Sequence, residues 1–198
     1  MKKLFALVVA ALMLPLLSMN VMAGDDGKKW NFAINDDGEC EIEHVFSTQK
    51  DNVAAMKAFK SAINRQTFEE RDVKNEEAGQ SISYKLRKNT KSRFNPFAGN
   101  FNESMSFDMV AEYAEGQIKV KLDNFVLRNE YEGYGKRVDS NSFSGKIGDY
   151  NDALAAIEAG AKGKAKKEAK EIVENVNESL NECQLELDKM FQAIQKAL

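Results

Sequence analysis

From Ala165 to the C-terminus, apolar residues recur every three or four positions: Ala169, Ile172, Val173, Val176, Leu180, Cys183, Leu187, Met190, Phe191, Ile194 and Leu198. That spacing gathers them on one stripe of an α-helix. A single helix over this span is ~50 Å long at ~1.5 Å per residue. Few folds accommodate such a rod. Its apolar stripe needs a platform, and a small sheet is too short to cover it. The helix therefore either bends near Asn175–Asn181 or projects an end toward a partner.

The platform is legible upstream. Glu39 to Ser47 alternates, with Cys40, Ile42, His44 and Phe46 on one side and Glu39, Glu41 and Glu43 on the other. Period two with one charged face predicts a half-buried strand. Val53, Ala55, Met56, Phe59, Ala62 and Ile63 then follow a helical period, with Ser47, Thr48 or Asp51 available as the cap. Three more alternating runs centre on Ile82–Leu86, Met105–Ala111 and Ile118–Leu122. Glu115-Gly116 predicts a hairpin between the last two. After Leu122 the apolar phase slips to Phe125 and Leu127, which predicts a bulge near Asp123–Asn124. Glu70 to Glu77 carries a weaker strand pattern. Asn89–Asn102 and Asn129–Tyr150 break alternation and read as long loops. Lys91, Arg93, Phe94 and Phe97 lie in the first, and Tyr131 and Tyr134 in the second. Long loops in a domain of this size often carry function, so these six are the candidate binding residues.

Lys2 and Lys3 precede an almost unbroken apolar stretch from Leu4 to Leu17, followed by Val21-Met22-Ala23. This is the layout of a cleaved secretory signal. The stretch falls short of the ~20 residues of a membrane span. The expected organisation is a signal peptide at 1–23, a polar, flexible lead-in at 24–38 whose Trp30 and Phe32 are free to dock, and one domain at 39–198. The expected location is periplasmic or secreted, with no integral membrane segment after cleavage. Losing Lys2 and Lys3 from 28 basic residues leaves 26 against 31 acidic ones, a net charge of −5. An acidic exported chain is a poor nucleic-acid binder, since such binding draws on basic surface.

Two cysteines, Cys40 and Cys183, lie on apolar faces of the first strand and the last helix. In an oxidising compartment they are expected to form a disulfide joining the two ends of the fold. Two cysteines do not complete a zinc site. The single histidine, His44, has no G-x-S-x-G serine, second histidine or H-x-x-E partner, so it reads as a core residue. No metal, cofactor or catalytic residue is expected. Glu39, Glu41 and Glu43 read as a solvated face. "GYGKR" lacks the G-K-[ST] ending of a phosphate loop. Lys162, Lys164, Lys166, Lys167 and Lys170 crowd a helix start, where the dipole disfavours cations. That favours a helix beginning earlier, near Asp149.

The order strand, helix, antiparallel strands, long helix, with the leader "MKKLFALVVAALMLPLLSMNVMA" and "ECEIEHVFS" feeding "VAAMKAFKSAI", resembles an exported Bacteroidetes family of unknown function. The resemblance runs from about Glu39 to Arg128. It implies a TATA-binding-protein-like α+β fold, a curved antiparallel sheet with helices packed on one face. It supplies no catalytic residues, and the fold name implies nothing about DNA. The Phe-rich segment and the cysteine pair have no counterpart in the family pattern. The functional expectation is an exported, non-enzymatic protein that binds another protein or a glycan. The alternative is a carrier holding a small apolar ligand or lipid between sheet and final helix, lined by Met105, Phe107, Met109, Ile118 and Val120.

Overall fold

A computed structural model describes residues 27–96, 99–132 and 136–198. The expected signal peptide, Phe97 and Tyr134 lie outside the described residues. The element order is β1 (Ile42–Ser47), α1 (Asn52–Asn64), β2 (Glu70–Glu77), β3 (Ser81–Asn95), β4 (Gly99–Ala114), β5 (Gln117–Glu132), β6 (Lys136–Ser142), α2 (Phe143–Glu158) and α3 (Gly163–Ala197). The strands form one curved antiparallel sheet in the order β1-β5-β4-β3-β2, with β6 also on β5. β1 pairs with the first half of β5 and β6 with its second half. The fold is the α+β architecture expected from the sequence.

Each reversal follows from local chemistry. Asp51 caps α1, its Oδ1 accepting from Ala54 N at 2.8 Å, which satisfies one of the free N–H groups at the helix start. Glu115 and Gly116 both take positive φ (49° and 77°), the geometry of a tight two-residue hairpin turn. Opposite Phe107, Asn124 at φ 53° marks the expected bulge, where the β4–β5 register shifts. The extra residue moves Phe125 and Leu127 onto the face that Leu122 occupied.

That face is the core side. Tyr84, Leu86, Met105, Phe107, Met109, Val120 and Leu122 are buried there, in one cluster with Phe59 and Ile63 of α1, Phe143 and Tyr150 of α2, and Val176, Leu180, Leu187 and Ile194 of α3. α3 packs beside both other helices and over β3. Its C-terminal end is held by the loop after β1, where Lys50 Nζ donates to Ala197 O at 3.0 Å and Thr48 Oγ1 to Leu198 O at 3.2 Å. A cation there suits the negative end of the dipole.

Four expectations are corrected. First, α3 does begin among the lysines. Gly160 at φ 85° ends α2, and Lys164 and Lys167 pair with Glu168 and Glu171 one turn on. These pairs offset part of the unfavourable dipole contact. Second, the first long loop is mostly strand, and the second is strand as far as Ser142 apart from the undescribed residues 133–135, then the start of α2. β3 with β4, and β5 with β6, run on as two neighbouring hairpin arms. Third, the lead-in is packed on the domain rather than free, through the two aromatics that could dock. Trp30 and Phe32 are each only 4% exposed. Fourth, no disulfide forms, and Cys40 and Cys183 are both free and buried. The physical reason is lateral. Cys40 continues β1 at one edge of the sheet, bridging Ile34. Cys183 sits over β3, hydrogen-bonded to Thr90. Between β1 and β3 lie β5 and β4. Three strand spacings are roughly 14 Å, twice what a disulfide can span.

Burial pushes the Cys40 thiol up to about 11 and the Cys183 thiol well above its ordinary value. Both are therefore inert as nucleophiles at neutral pH. Denatured without reductant, the chain is expected to titrate two thiols with a chromogenic disulfide reagent. The native protein should react slowly at both. A denatured count of zero would reinstate the bridge.

Candidate functional site

The six candidate residues resolve into two groups. A bulge at Thr90, where the β3–β4 register shifts between Asn89 and Lys91, inverts the alternation of β3. Lys88 faces α3, and after the bulge so do the odd-numbered Lys91 and Arg93. Lys88 pairs with Glu186 at 3.1 Å. Lys91 reaches Glu178 at 2.7 Å, and Arg93 pairs with the same carboxylate. The two cations hold the Glu178 carboxyl below its usual range, the Lys91 hydrogen bond contributing most. Lys91 and Arg93 thus fasten the β3–β4 arm to α3. The run Lys85–Arg93 is no single basic patch: Arg87 turns to the other face, against Glu69 and Glu70.

Beneath those ion pairs lies a buried polar seam. Ser179 Oγ donates to Glu103 Oε2 at 2.7 Å. The Thr90 hydroxyl lies 3.1 Å from Glu103 O. Glu103 is buried, and these hydroxyls supply part of what its carboxylate loses on leaving water.

The second group is aromatic and open. Phe94, near the end of β3, is 74% exposed. Tyr131, near the end of β5, is 41% exposed and lies 5.0 Å, ring to ring, from Phe101 of β4. Phe101 and Tyr131 are direct cross-strand partners, so the pairing register brings their rings together. Val138 of β6 is also exposed. The far ends of both arms therefore present aromatic and apolar side chains to water. Phe97 and Tyr134 are outside the described residues.

The remaining candidates are structural. The His44 ring stacks on Phe191 at 4.7 Å and lies 4.4 Å from Phe46. Glu43 pairs with Lys119 at 2.8 Å on the open face, where such pairs contribute roughly 0–1 kcal/mol. No cluster of three metal-ligating side chains occurs among the described residues. The five side chains of the carrier reading are sealed within the packed cluster. A surface cleft of about 390 Å³ is lined by polar and charged groups including Glu69, Lys88, Glu186 and Lys189. A second, of about 260 Å³, lies by Lys57, Lys60 and Glu76. Neither cleft is lined by those five.

Burial lowers the His44 pKa. The unfolded chain then binds more protons between the folded value and about 6.5, so stability rises with pH across that window. Acidification through it removes stability. His44→Phe is expected to flatten this component, seen as a smaller drop in urea midpoint between about pH 7.5 and about pH 5. An unchanged drop would assign it to other groups.

No protein-family model and no curated protein matches this sequence. Among solved structures the chain is similar to a TBP-like protein from Parabacteroides distasonis. The identity is 10% and the TM-score 0.50, over 83% of this chain and 97% of that one. It is also similar to a DUF4468 family protein from Bacteroides ovatus, at 15% identity and TM-score 0.44, over 82% and 88% of the two chains. The first likeness shows the fold. The TBP-like sheet with helices, expected from resemblance to a Bacteroidetes family of unknown function, is the architecture observed. No helix among the described residues is long and apolar enough to cross a membrane.

Proposed function

We propose that this is an exported binding protein of the bacterial envelope, non-enzymatic, whose contact surface is the pair of hairpin-arm ends. The observation that carries the reading is the exposure of Phe94, on the face away from α3, and of Tyr131, which lies against the half-buried Phe101 on the other face of the same strand ends. Exposed aromatics on a rigid support are costly to leave in water, and aromatics are typical anchors of protein contacts. Rigidity comes from Lys91, Arg93 and Glu178, which tie the β3–β4 arm to α3. The leader pattern supports export. A partner outside the cytoplasm, protein or glycan, fits an acidic chain with mixed charge around an aromatic tip.

The test is a photo-crosslinking amino acid placed at position 94, and separately at Val53, an exposed apolar residue on α1. In the exporting cell, discrete adducts are expected from position 94 and not from 53. Equal or absent adducts at both would remove the arm ends as the contact.

A further inference from the structure

Residues 27–34 are held as a peptide ligand is held. The chain runs extended along α3, and amide side chains of that helix bond its backbone. Lys29 N donates to Asn181 Oδ1 at 2.7 Å, while Asn181 Nδ2 donates to Gly27 O at 3.0 Å. One carboxamide thereby satisfies a donor and an acceptor of the segment, as a neighbouring strand does. Asn31 N donates to Gln184 Oε1 at 3.3 Å. These contacts read main chain, so they are indifferent to the side chains at 29 and 31.

Two side chains do the anchoring. Trp30 meets Tyr150 of α2 edge-on at 5.4 Å, and its indole Nε1 donates to Asn177 Oδ1 at 2.9 Å. Phe32 meets Phe143 of α2 at 5.0 Å and Phe125 of β5 at 6.0 Å. The walls are α2 and α3 and the floor is β5. The segment leaves through an exposed turn, where Asn35 Oδ1 accepts from Asp37 N and Glu39 N and Gly38 takes φ 79°. Backbone recognition with two aromatic plugs is how extended peptides are bound by folded domains, the main chain giving affinity and pockets for alternate side chains giving specificity.

We infer that the groove between α2 and α3 is a peptide-binding site for an extended segment carrying aromatic side chains two residues apart, and that residues 27–34 are its resident, exchangeable occupant. The site is separate from the arm ends. In the intact chain the tether gives the resident a millimolar effective concentration, which masks the groove from a peptide in solution.

The experiment uses the chain with a protease site in the exposed Asp36–Asp37 turn and a labelled synthetic peptide of residues 27–36. After cleavage the fragment is expected to stay bound. Trp30, the sole tryptophan, should keep a buried emission, and the labelled peptide should exchange in saturably. The uncut chain should bind at least ~100-fold more weakly, as a micromolar site facing a millimolar tether requires. Asn181→Ala in the chain should weaken binding by about tenfold or more, a lost hydrogen-bond pair, and Trp30→Ala in the peptide by about a hundredfold or more, a lost aromatic anchor. Serine at positions 29 and 31 of the peptide should change it by less than about threefold, because only main chain is read there. The inference is overturned if cleavage unfolds the chain by circular dichroism, if the peptide never replaces the fragment, if Asn181→Ala leaves binding intact, or if the serine peptide fails to bind.

Discussion

Trp30→Ala is expected to cost about 3–5 kcal/mol of folding stability, the usual range for truncating a buried large aromatic. The loss has two parts. One is the ring surface packed on Tyr150 and Phe32. The other is the indole donor to Asn177, whose own side chain is buried under the segment. Trp30→Phe separates them. It keeps most of the ring packing and removes only the N–H, for about 1–3 kcal/mol. Urea unfolding followed by far-UV circular dichroism measures both, since the substitutions delete the only tryptophan. If both variants stay within about 0.5 kcal/mol of the parent, the range of an ordinary surface change, the segment contributes nothing to the fold. Domains of this size are stable by only about 5–15 kcal/mol. One side chain of a polar lead-in thus accounts for a large part of the margin.

That segment shows why some of the structure was legible and some was not. "GDDGKKWNFAINDDG" is dense in Gly, Asp and Asn, and composition pointed to a mobile stretch. The signal for docking was Trp30-x-Phe32-x-Ile34, a period-two apolar run three residues long. It has too few repeats to outweigh its neighbours. By contrast, β4 and β5 read clearly because Met105–Ala111 and Ile118–Leu122 alternate without interruption over a buried face. The bulge at Asn124 was visible because apolar residues resume on the other side of it. The bulge at Thr90 was not, because the residues that resume are Lys91 and Arg93. Their inward direction is set by Glu178 on α3, more than 80 residues on. The arms were read as loops for the same reason, since their core-side positions hold cations and a buried Glu103 in place of Leu and Val.

The cysteines illustrate a different limit. Alternation on β1 and the helical stripe on α3 correctly gave both a core-facing direction, and both are buried. Facing fixes a layer but not a position within it. The strand order β1-β5-β4-β3-β2, which no local pattern encodes, separates them across the sheet.

Leu180→Asp is expected to abolish the fold at neutral pH, while Ile172→Asp on the same helix leaves it intact. Both residues belong to the apolar repeat of α3. Leu180 is 0% exposed, in the middle of the layer between sheet and helix, whereas Ile172 is 41% exposed. Removing the leucine side chain alone costs about 2–5 kcal/mol. An unpaired carboxylate in its place adds several kcal/mol more, and the sum reaches the whole stability of a typical domain. At position 172 the aspartate meets water, and a change within about 0.5 kcal/mol is expected. The pH response sharpens the contrast. A carboxyl forced into the core has a folded pKa above its unfolded value of about 3.9, so its penalty is greatest above the folded value and fades as pH falls through it. Leu180→Asp should therefore recover some helical signal on mild acidification, before the carboxylates of Glu178 and Glu186, whose pKa values are held low by their cations, begin to protonate. Ile172→Asp should show no such recovery. The reverse result, with Ile172→Asp the damaging change, would mean that the stripe of α3 is turned away from the sheet, and the packing of α2, the N-terminal segment and the β3–β4 arm on that helix would all be misplaced with it.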